Sequence, residues 1–556
     1  MTLTVARPEA HEGVVTDALV RVTNLRIAFG SGPEVVTGVD LEIHRGEVLA
    51  IVGESGSGKS VTTRSLVGLA GDTAHVRADR FEILGEDVSG HGEKDWRRLR
   101  GAGVGLILQD ALTALDPLRT IGREVAEGLT GGPRVSRRER AARVDDLLRS
   151  VGLDDPEVRR RQRSFQLSGG QRQRALIAAA LAGDPDLVIA DEPTTALDVT
   201  VQAQVLDLIV AQARAGRAVI LVSHDLAVVS AVADRVLVMR EGRIVESGPV
   251  RQVIDDPRDR YTRALIDAVP RGSARPPVVA DDRTPVVSAA GLTKSYRVLG
   301  RPVTAVGDVS FDVRSGEVLG IVGESGSGKS TIASMLTGLT RPDAGELRFL
   351  GAPHPAAAHV GQIGLVAQDS VASFDPRYLV GEVIAEALGA AGLPSGRSGS
   401  ASRAAEVRRL LDAVHLPADV AGRHPRELSG GQRQRVNIAR AVGARPRLIV
   451  CDEPVSALDI SVQAQILDLL RELAETGDLA LVFISHDLAV VRQLCHSLLV
   501  LHRGRVVEQG PARDVFASPS SPHTRALLDA IPTLRSAADR TDPADPAPAR
   551  KSSDRA

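Results

Sequence analysis

The sequence predicts an α/β protein of two similar domains, each with a mixed sheet core and an inserted helical subdomain. The octapeptide GESGSGKS occurs at 53–60 and again at 323–330, each time directly after an apolar run typical of a buried strand. The motif LSGGQRQR begins at 167 and at 428, and the motif DEP begins at 191 and at 452. In each half, a stretch of mixed helical character separates GESGSGKS from LSGGQRQR, and it predicts the inserted subdomain.

The repeat divides the chain into five segments. We expect a flexible N-terminus at 1–17, a first domain at 18–270, a linker at 271–287, a second domain at 288–535 and a disordered tail at 536–556. The linker is rich in proline, arginine and aspartate and lacks apolar periodicity. The tail has too little apolar content to order itself.

Composition limits the classes of protein. Hydrophobic residues make up 43% of the chain, charged residues 25%, and the formal net charge is −2, which indicates a globular protein without the basic excess of a dedicated nucleic-acid binder. Two cysteines provide neither a disulfide framework nor a CxxC metal site and fit a reducing cytoplasm. Because no run approaches the roughly 20 apolar residues of a membrane span, a membrane role must come through partners.

The elements follow the same order in both halves. Alternating β-branched segments come first, followed by the strands LAIV and LGIV, the GESGSGKS loops and a helix. LSGGQ precedes alanine-rich helices at 175–183 and 436–444, then the strands LVIADE and LIVCDE. AVILVSHD and LALVFISHD predict a further strand in each half. Hairpins turning at Glu241-Gly242 and Arg503-Gly504 end the pattern.

Both octapeptides fit the phosphate-binding pattern GxxxxGK[ST], so we expect two nucleoside triphosphate sites. Glycines allow successive N–H groups to point at phosphates, and the helix that follows adds its positive end. The chain has five lysines among 68 basic residues, and two of the five lie in these loops. A compact ammonium reaches phosphate oxygens that a broad guanidinium would crowd. The predicted nucleotide-binding residues are Gly53, Glu54, Ser55, Gly56, Ser57, Gly58, Lys59 and Ser60, and Gly323, Glu324, Ser325, Gly326, Ser327, Gly328, Lys329 and Ser330.

Acidic residues at strand ends predict the metal and catalytic groups. Asp191 and Asp452 are expected to hold Mg²⁺ through its water shell, with the hydroxyls of Ser60 and Ser330 as further ligands. Glu192 and Glu453 follow directly and are placed to polarise an attacking water. The alternative, a solvated Asp-Glu-Pro turn, does not account for the accompanying phosphate loops.

Further polar and aromatic residues recur at both predicted sites. His224 and His486 end strands and are expected to contact the γ-phosphate in a catalytic, sensing role. Gln109 and Gln368 are expected to reach Mg²⁺ or the attacking water. Phe29 and Tyr296 could stack on adenine, although an aromatic residue at that position is as easily part of the core.

In each half, LSGGQ predicts a second helix whose N-terminus can bind an anion. The phosphate of its own half is already surrounded, so the motif is expected to complete the site of the other half. The residues assigned to this role are Ser168, Gly169, Gly170 and Gln171, and Ser429, Gly430, Gly431 and Gln432.

With these motifs, residues 18 to 535 resemble two fused cassettes of an ABC transporter, a branch of the P-loop NTPases. The D-loop words TALD at 195–198 and SALD at 456–459 add to the resemblance. It implies that the cassettes pair head to tail, with two ATP molecules each held between the phosphate loop of one half and the signature of the other. Both sites keep their glutamate and histidine, so the resemblance implies ATP hydrolysis at both.

The cassette ends resemble those of the oligopeptide, dipeptide and nickel importers. YTRALIDAVP at 261–270 and HTRALLDAIP at 523–532 carry this likeness, although Arg260 stands where a proline is usual. Some members hold an iron-sulfur cluster on cysteines here, but both extensions lack cysteine and we expect no cluster. The resemblance implies two integral-membrane permease subunits, an extracytoplasmic solute-binding protein and a peripheral position on the cytoplasmic face of the membrane.

Three other functions compete with peptide import. The solute could be nickel or another small molecule, since it is selected by proteins encoded elsewhere. An exporter would use the same cassettes. A soluble protein acting on ribosomes or DNA is less consistent with a short linker and few cysteines, and the arginine run at 159–163 lacks the interleaved aromatics of a nucleic-acid surface.

Overall fold

A computed structural model describes residues 18–109, 111–131, 136–195, 197–269, 285–298, 301–355, 359, 361–370, 373–390, 400–455, 458–475 and 479–531. The predicted flexible N-terminus at 1–17 and the predicted tail at 536–556 lie outside these residues. Most of the predicted linker at 271–287 also lies outside them. A strand begins at Pro285, inside the predicted linker, because Val286 and Val287 are buried in the second half.

The first half contains eleven strands and eleven α-helices among its described residues. The strands are β1 Ala18–Phe29, β2 Glu34–His44, β3 Val48–Val52, β4 Ala74–Arg77, β5 Arg80–Ile83, β6 Glu86–Asp87, β7 Val104–Ile107, β8 Leu187–Asp191, β9 Ala218–Val222, β10 Arg235–Arg240 and β11 Arg243–Pro249. The helices are α1 Lys59–Ser65, α2 Glu93–Ala102, α3 Ala111–Ala114, α4 Ile121–Glu127, α5 Arg137–Ser150, α6 Pro156–Arg159, α7 Gly169–Leu181, α8 Val199–Arg214, α9 Leu226–Val232, α10 Val250–Asp255 and α11 Arg260–Ala268.

The second half follows the same order. Its strands are β12 Pro285–Val298, β13 Arg301–Arg314, β14 Val318–Gly323, β15 Ala344–Phe349, β16 Ala352–Pro353, β17 Ile363–Val366, β18 Leu448–Asp452, β19 Ala480–Ser485, β20 Ser497–His502 and β21 Arg505–Pro511. Its helices are α12 Lys329–Leu336, α13 Val380–Ala390, α14 Ser400–Ala413, α15 Gly430–Gly443, α16 Ile460–Glu475, α17 Leu488–Leu494, α18 Ala512–Ala517 and α19 Pro522–Asp529.

A six-stranded mixed sheet forms the centre of each half. Its order is β11-β10-β3-β9-β8-β7 in the first half and β21-β20-β14-β19-β18-β17 in the second. Five of the six strands are parallel, and β11 and β21 pair antiparallel with their neighbours. The carboxyl ends of the parallel strands therefore meet at one edge. The loops that carry the predicted site residues leave the sheet at this edge.

The central strands are buried on both faces, which explains their continuous apolar runs. In β3, Val48, Ala50 and Val52 belong to the core shared with the inserted helices. Leu49 and Ile51 alternate with them and belong to a second core on the opposite face. The sheet is thus the middle layer between two hydrophobic clusters.

A separate antiparallel sheet covers that opposite face. Its order is β2-β1-β5-β6 in the first half, with β4 also paired to β1, and β13-β12-β15-β16 in the second. Alternate apolar residues of β1, such as Val20 and Val22, are buried against the central sheet. The sequence predicts strands in this region but not their assembly into a sheet of their own.

The inserted helical subdomain predicted from the sequence lies between β7 and β8. In the first half, α3, α4 and α5 all contact α7, the helix that begins after LSGGQ. A capping box starts α5, where the Glu139 N–H donates to Ser136 Oγ at 3.2 Å and the Ser136 N–H donates to Glu139 Oε2 at 2.8 Å. The subdomain packs on the central sheet through one continuous core.

The two predicted hairpin turns are confirmed. Glu241 and Gly242 have φ angles of 48° and 80°, and Arg503 and Gly504 have 48° and 78°. Two consecutive residues with positive φ form the type I′ turn that matches strand twist. A Cβ on Gly242 would lie 2.5 Å from the carbonyl oxygen of Val35, so close packing also requires glycine there.

Among the described residues, no helix is both long and apolar enough to cross a membrane.

Phe483 provides a test of the second-half core, because its side chain in β19 is fully buried. Phe483→Ala should lower the free energy of unfolding of this half by about 3–5 kcal/mol, since it removes a large buried side chain and leaves a cavity. Urea unfolding of the full chain would measure the change. Phe165→Ala, at a 61% exposed position, is the control and should change it by less than about 0.5 kcal/mol. Equal effects of the two substitutions would contradict this description of the core.

Candidate nucleotide site

Two clefts open at the carboxyl edges of the two central sheets. The first is lined by Ser55, Gly56, Gly58, Lys59, Ser60, Val61, Gln109, Glu192 and His224, together with Leu458 and Asp459 of the second half. The second is lined by Tyr296, Ala305, Ser325, Gly326, Gly328, Lys329, Ser330, Thr331, Gln368, Glu453 and His486, together with Asp198 of the first half. Each cleft therefore combines residues of both halves.

The loop lysines are buried and held by their own loops. Lys59 Nζ donates to the carbonyl oxygens of Gly53 and Glu54 at 2.7 and 2.8 Å, and Lys329 does the same in the second half. Burial lowers the pKa of both lysines, although neighbouring carboxylates oppose the shift. An ammonium has three N–H donors, so one remains for a ligand in the cleft.

The loops have the shape and donors of a phosphate cradle. Gly53 has a φ of 152°, and a Cβ there would lie 2.1 Å from the carbonyl oxygen of Met239 at the end of β10. Glycine is thus required by packing as well as by the inward N–H groups that the sequence analysis invoked. Ser57 Oγ and Ser327 Oγ are buried and have no hydrogen-bond partner in the part of the chain that the structure describes. Unsatisfied buried hydroxyls at equivalent positions fit an oxyanion ligand.

The predicted metal ligands lie together. Ser60 Oγ donates to Asp191 Oδ1 at 2.8 Å, and Ser330 Oγ lies 3.5 Å from Asp452 Oδ1. Burial raises the pKa of both aspartates above the usual range, against hydrogen bonds from the serines. A hydroxyl and a carboxylate oxygen at the phosphate loop are donors suited to Mg²⁺, so the residues fit the expected ion.

One basic residue distinguishes the two predicted metal sites. Arg64 Nη2 lies 3.3 Å from Asp191 Oδ2 in the first half. The corresponding position in the second half holds Ser334, whose hydroxyl donates to the Ser330 carbonyl at 2.8 Å. Asp452 therefore has no arginine from that position. Arg64 was not predicted to be a site residue, because it lies outside the repeated motifs.

The predicted glutamine and histidine of each site both converge on the glutamate. Gln109 Nε2 donates to Glu192 Oε2 at 2.8 Å, and His224 Nδ1 lies 3.5 Å from the same oxygen. Burial would raise the pKa of Glu192, but the hydrogen bond and charge of His224 outweigh it and lower the pKa. The pKa of His224 is raised by Glu192 against its own burial.

The second half repeats this cluster with nearly the same distances. Gln368 Nε2 donates to Glu453 Oε2 at 2.9 Å, and His486 Nδ1 lies 3.3 Å from Glu453 Oε1. The pKa of Glu453 is lowered, because the hydrogen bond and charge of His486 outweigh burial. In both clefts, therefore, a glutamate carboxylate lies between a glutamine amide and a histidine imidazole.

Both glutamates have strained backbones. The φ angle is 47° at Glu192 and 48° at Glu453, in the left-handed region that costs a non-glycine residue of order 1–3 kcal/mol. The strain turns each side chain into its cleft directly after a parallel strand. The sequence predicts both glutamates as site residues but gives no indication of the strain.

The two predicted adenine-stacking residues differ in position. Tyr296 lines the second cleft, is 42% exposed, and has the Lys294 ammonium 5.9 Å from its ring centroid. Phe29 is half-buried at the end of β1 and is not among the residues that line the first cleft. The structure thus brings only the second aromatic to a cleft.

The signature residues begin α7 and α15 but line neither cleft in the described structure. Ser168 caps α7: its hydroxyl accepts from the Gln171 N–H at 3.3 Å, and Gln171 Oε1 accepts from the Ser168 N–H at 3.1 Å. Ser429 and Gln432 make the same pair at α15. A Cβ on Gly170 would lie 2.6 Å from Val201 of α8, so glycine permits close helix packing here.

An aspartate from each half reaches the phosphate loop of the other. Asp459 Oδ1 accepts from the Ser55 N–H at 2.8 Å, and Asp198 Oδ2 accepts from the Ser325 N–H at 3.4 Å. Asp198 also caps α8 through its other oxygen, which accepts from the Val201 N–H at 3.0 Å. The motifs TALD and SALD end in these aspartates, but neither aspartate was predicted to be a site residue.

The first extension supports the first phosphate loop. The Glu54 N–H donates to the Tyr261 hydroxyl at 2.9 Å, and the Arg240 guanidinium lies 5.1 Å from the Tyr261 ring centroid. Burial raises the pKa of Tyr261 to about 12, which keeps the hydroxyl protonated. Tyr261 was selected only as part of the extension motif, and its contact with the loop was not predicted.

Two phosphate loops, each with an acidic strand end and contacts from the opposite half, define a nucleoside triphosphatase with two paired domains. Comparison with known families identifies the kind. Residues 36–195 and 306–456 match the family described as ABC transporter, and residues 245–283 and 507–554 match the oligopeptide/dipeptide transporter C-terminal region. The chain belongs to the ABC transporter family, and it is an ATPase with two ATP-binding cassettes.

Several relatives resemble nearly the whole chain. The peptidoglycan transport ATP-binding protein YejF of Agrobacterium fabrum is 42% identical over 538 residues, covering 93% of this chain and 96% of its own. The oligopeptide transport ATP-binding protein OppD of Mycobacterium tuberculosis is 39% identical, covering 92% and 98%. The glutathione import ATP-binding protein GsiA of Escherichia coli is 40% identical, covering 92% and 89%.

A solved structure titled RNase-L Inhibitor is similar in fold, with a TM-score of 0.59 and 20% identity over 87% of this chain and 89% of its own. An archaeal ribosome recycling factor gives a TM-score of 0.57 at 21% identity over 84% and 85%. At this identity the likeness supports the twin-cassette fold alone.

Tyr261→Phe tests the link between extension and loop. Loss of the hydroxyl removes one hydrogen bond worth about 1 kcal/mol, so amide exchange at Glu54 should accelerate about fivefold. Hydrogen exchange read by NMR or mass spectrometry on the full chain would measure it. The Glu324 amide of the second loop is the internal control and should not change. Unaltered exchange at Glu54 would show that Tyr261 does not hold the loop.

Proposed function

We propose that this chain is the ATP-hydrolysing subunit of an importer of di- and oligopeptides, with two ATP sites formed between its halves. The observation that carries the proposal is the pair of aspartate contacts from each half to the opposite phosphate loop. The oligopeptide and glutathione names of two relatives support a peptide substrate, since glutathione is a tripeptide. Uptake of nickel or another small solute is the second candidate, because proteins encoded elsewhere select the solute.

Each proposed ATP site uses one phosphate loop and the opposite signature. Lys59, Ser60, Gln109, Asp191, Glu192 and His224 act with Ser429, Gly430 and Gly431, and Lys329, Ser330, Gln368, Asp452, Glu453 and His486 act with Ser168, Gly169 and Gly170. The signature residues line neither cleft in this structure. Closure of the halves around ATP would bring each helix start to the opposite triphosphate.

Within each site, the residues have separate tasks. The third N–H of Lys59 binds a phosphate oxygen. Ser60 and Asp191 hold Mg²⁺, which when bound offsets phosphate charge. Glu192 is deprotonated, because its pKa is lowered, and accepts a proton from the attacking water. Gln109 and His224 fix the carboxylate by contacts to one of its oxygens.

The helical subdomain offers a surface for a permease. Leu118, Val158 and Phe165 are 80%, 55% and 61% exposed. A β-bridge between Thr120 and Arg163 holds the segments that carry Leu118 and Phe165 together. Exposed apolar clusters of this kind are typical of protein interfaces. Gln109 of the first cleft precedes Leu118 by a short stretch of sequence, so the surface and the cleft are close along the chain.

We place the chain on the cytoplasmic face of the membrane, bound to two permease subunits that receive solute from an extracytoplasmic binding protein. The family and the transport names of its relatives support permease partners. A function on ribosomes has no support beyond a shared fold.

Glutamine substitutions test the two ATP sites. Glu192→Gln and Glu453→Gln each remove the proton acceptor of one site, which costs about 10²- to 10⁴-fold in its rate. Each single variant should slow ATP turnover, and the double variant should retain bound ATP without hydrolysing it. Phosphate release and nucleotide retention would be measured on the full chain. Glu241→Gln, at a side chain 83% exposed, is the control. If either single substitution left turnover unchanged, the proposal that both sites hydrolyse ATP would be wrong.

Leu118→Asp combined with Phe165→Asp tests the permease surface. Burying two carboxylates in an apolar interface should reduce the permease recovered with the tagged chain from native membranes by at least about tenfold. Mass spectrometry would identify and quantify the recovered proteins. Leu339→Asp, at a 73% exposed leucine of the second half, is the control. Full recovery with the double variant would place the permease elsewhere, and recovery of ribosomal proteins alone would reverse the functional assignment.

A further inference from the structure

Three potential metal ligands meet between the second phosphate loop and the second extension. Glu324 is the second residue of the loop, His502 ends β20, and His523 lies in the first turn of α19. His502 Nδ1 lies 3.9 Å from Glu324 Oε2, and the two imidazole ring centroids are 4.0 Å apart. One ligand atom of each residue lies within 4.8 Å of the others.

Two imidazole nitrogens in this cluster have no hydrogen-bond partner among the described residues. His502 Nδ1 and His523 Nε2 are both shielded from solvent and unpaired in the structure. An unsatisfied buried polar atom costs about 1–3 kcal/mol, so two beside one carboxylate call for an explanation. Burial, together with the neighbouring His502, lowers the pKa of His523 and favours its neutral form. Neutral imidazole is the form that binds metal ions.

The first half has different residues at two of the three corresponding positions. Its corresponding residues are Glu54, Arg240 and Tyr261, where the tyrosine hydroxyl accepts from the Glu54 N–H and the guanidinium covers the ring. The extension is thus joined to the first loop by a hydrogen bond and a cation–π contact. Histidines replace both the arginine and the tyrosine in the second half. No such hydrogen bond joins His523 to Glu324 among the described contacts.

We propose that Glu324, His502 and His523 bind a divalent transition-metal ion, Zn²⁺, that joins the second extension to the second phosphate loop. Two imidazole nitrogens and one carboxylate oxygen are a ligand set suited to zinc, whereas Mg²⁺ and Ca²⁺ select oxygen. Tetrahedral zinc with bonds of about 2.0–2.1 Å needs ligand atoms about 3.4 Å apart. The three ligand atoms lie within 4.8 Å of one another, so binding zinc would require the side chains to draw closer together.

The position of this site gives it a specific consequence. Glu324 belongs to the loop that holds Lys329, whereas His523 belongs to the extension. Zinc would therefore restrain the second phosphate loop and leave the first, with its tyrosine, unaffected. The two otherwise similar halves would differ in their response to metal.

Zinc titration of the full chain tests the proposal. The chelator-treated protein, without nucleotide so that zinc–ATP complexes cannot form, is titrated with zinc chloride and followed by calorimetry. The wild-type chain should bind one equivalent. His523→Tyr and His502→Arg install the residues that the first half uses, so both should fold, and each should weaken binding at least about tenfold. His415→Ala removes an exposed histidine 3.6 Å from Glu472 and should leave this equivalent in place.

Cobalt provides a second readout of the same site. Co²⁺ should give the visible absorption of a tetrahedral centre in the wild-type chain, and the absorption should be lost in both variants. Circular dichroism checks that each variant is folded, and one folded variant is enough for the test. Absence of zinc binding by the wild-type chain, or retention of the same affinity in a folded variant, would overturn the proposal. Neither result would bear on ATP hydrolysis, which is measured separately.

Discussion

The hydrogen bond that a phosphate-loop amide of one half donates to an aspartate of the other half is the contact on which the proposed function depends. It is 2.8 Å from Ser55 N to Asp459 Oδ1 and 3.4 Å from Ser325 N to Asp198 Oδ2. The contact between α11 and α16, and the packing of Ile460 on the first-half core, hold the halves at this boundary. Because each loop is bonded across the boundary, its conformation depends on where the opposite half lies. This dependence is a physical route for coupling the two nucleotide sites.

The two halves share a scaffold but do not form identical sites. Arg64 pairs with Asp191 in the first half, whereas Ser334 occupies the corresponding place in the second. Tyr261 bonds to the first loop, whereas His523 faces the second loop as part of a histidine pair. These differences lie outside the phosphate loops, signatures and acidic strand ends that the two halves share. Fusion in one chain allows such differences to persist, because each half always pairs with the other.

Much of the fold was predictable, because strand periodicity, phosphate loops and the hairpin turns at Glu241-Gly242 and Arg503-Gly504 are local signals. The packing of a separate antiparallel sheet on the central sheet was not predictable, since the pairing of β1 with β5 joins residues that are distant in sequence. The clustering of Gln109 and His224 on Glu192 is a tertiary effect of the same kind. Asp459 was visible as part of SALD, but its partner lies 404 residues away and no local pattern indicates that bond. Phe29 was predicted as a possible adenine contact from its position in the sequence, but its ring does not line the first cleft.

A structure determined with saturating ATP and Mg²⁺ tests the central claim most directly. The account predicts two triphosphates at the boundary between the halves, one contacting Lys59 and Ser429 and the other contacting Lys329 and Ser168. Both signature helices would then have moved to the clefts that they do not line here. A γ-phosphate enclosed by residues of its own half alone, or halves that stay apart with ATP bound, would contradict the account.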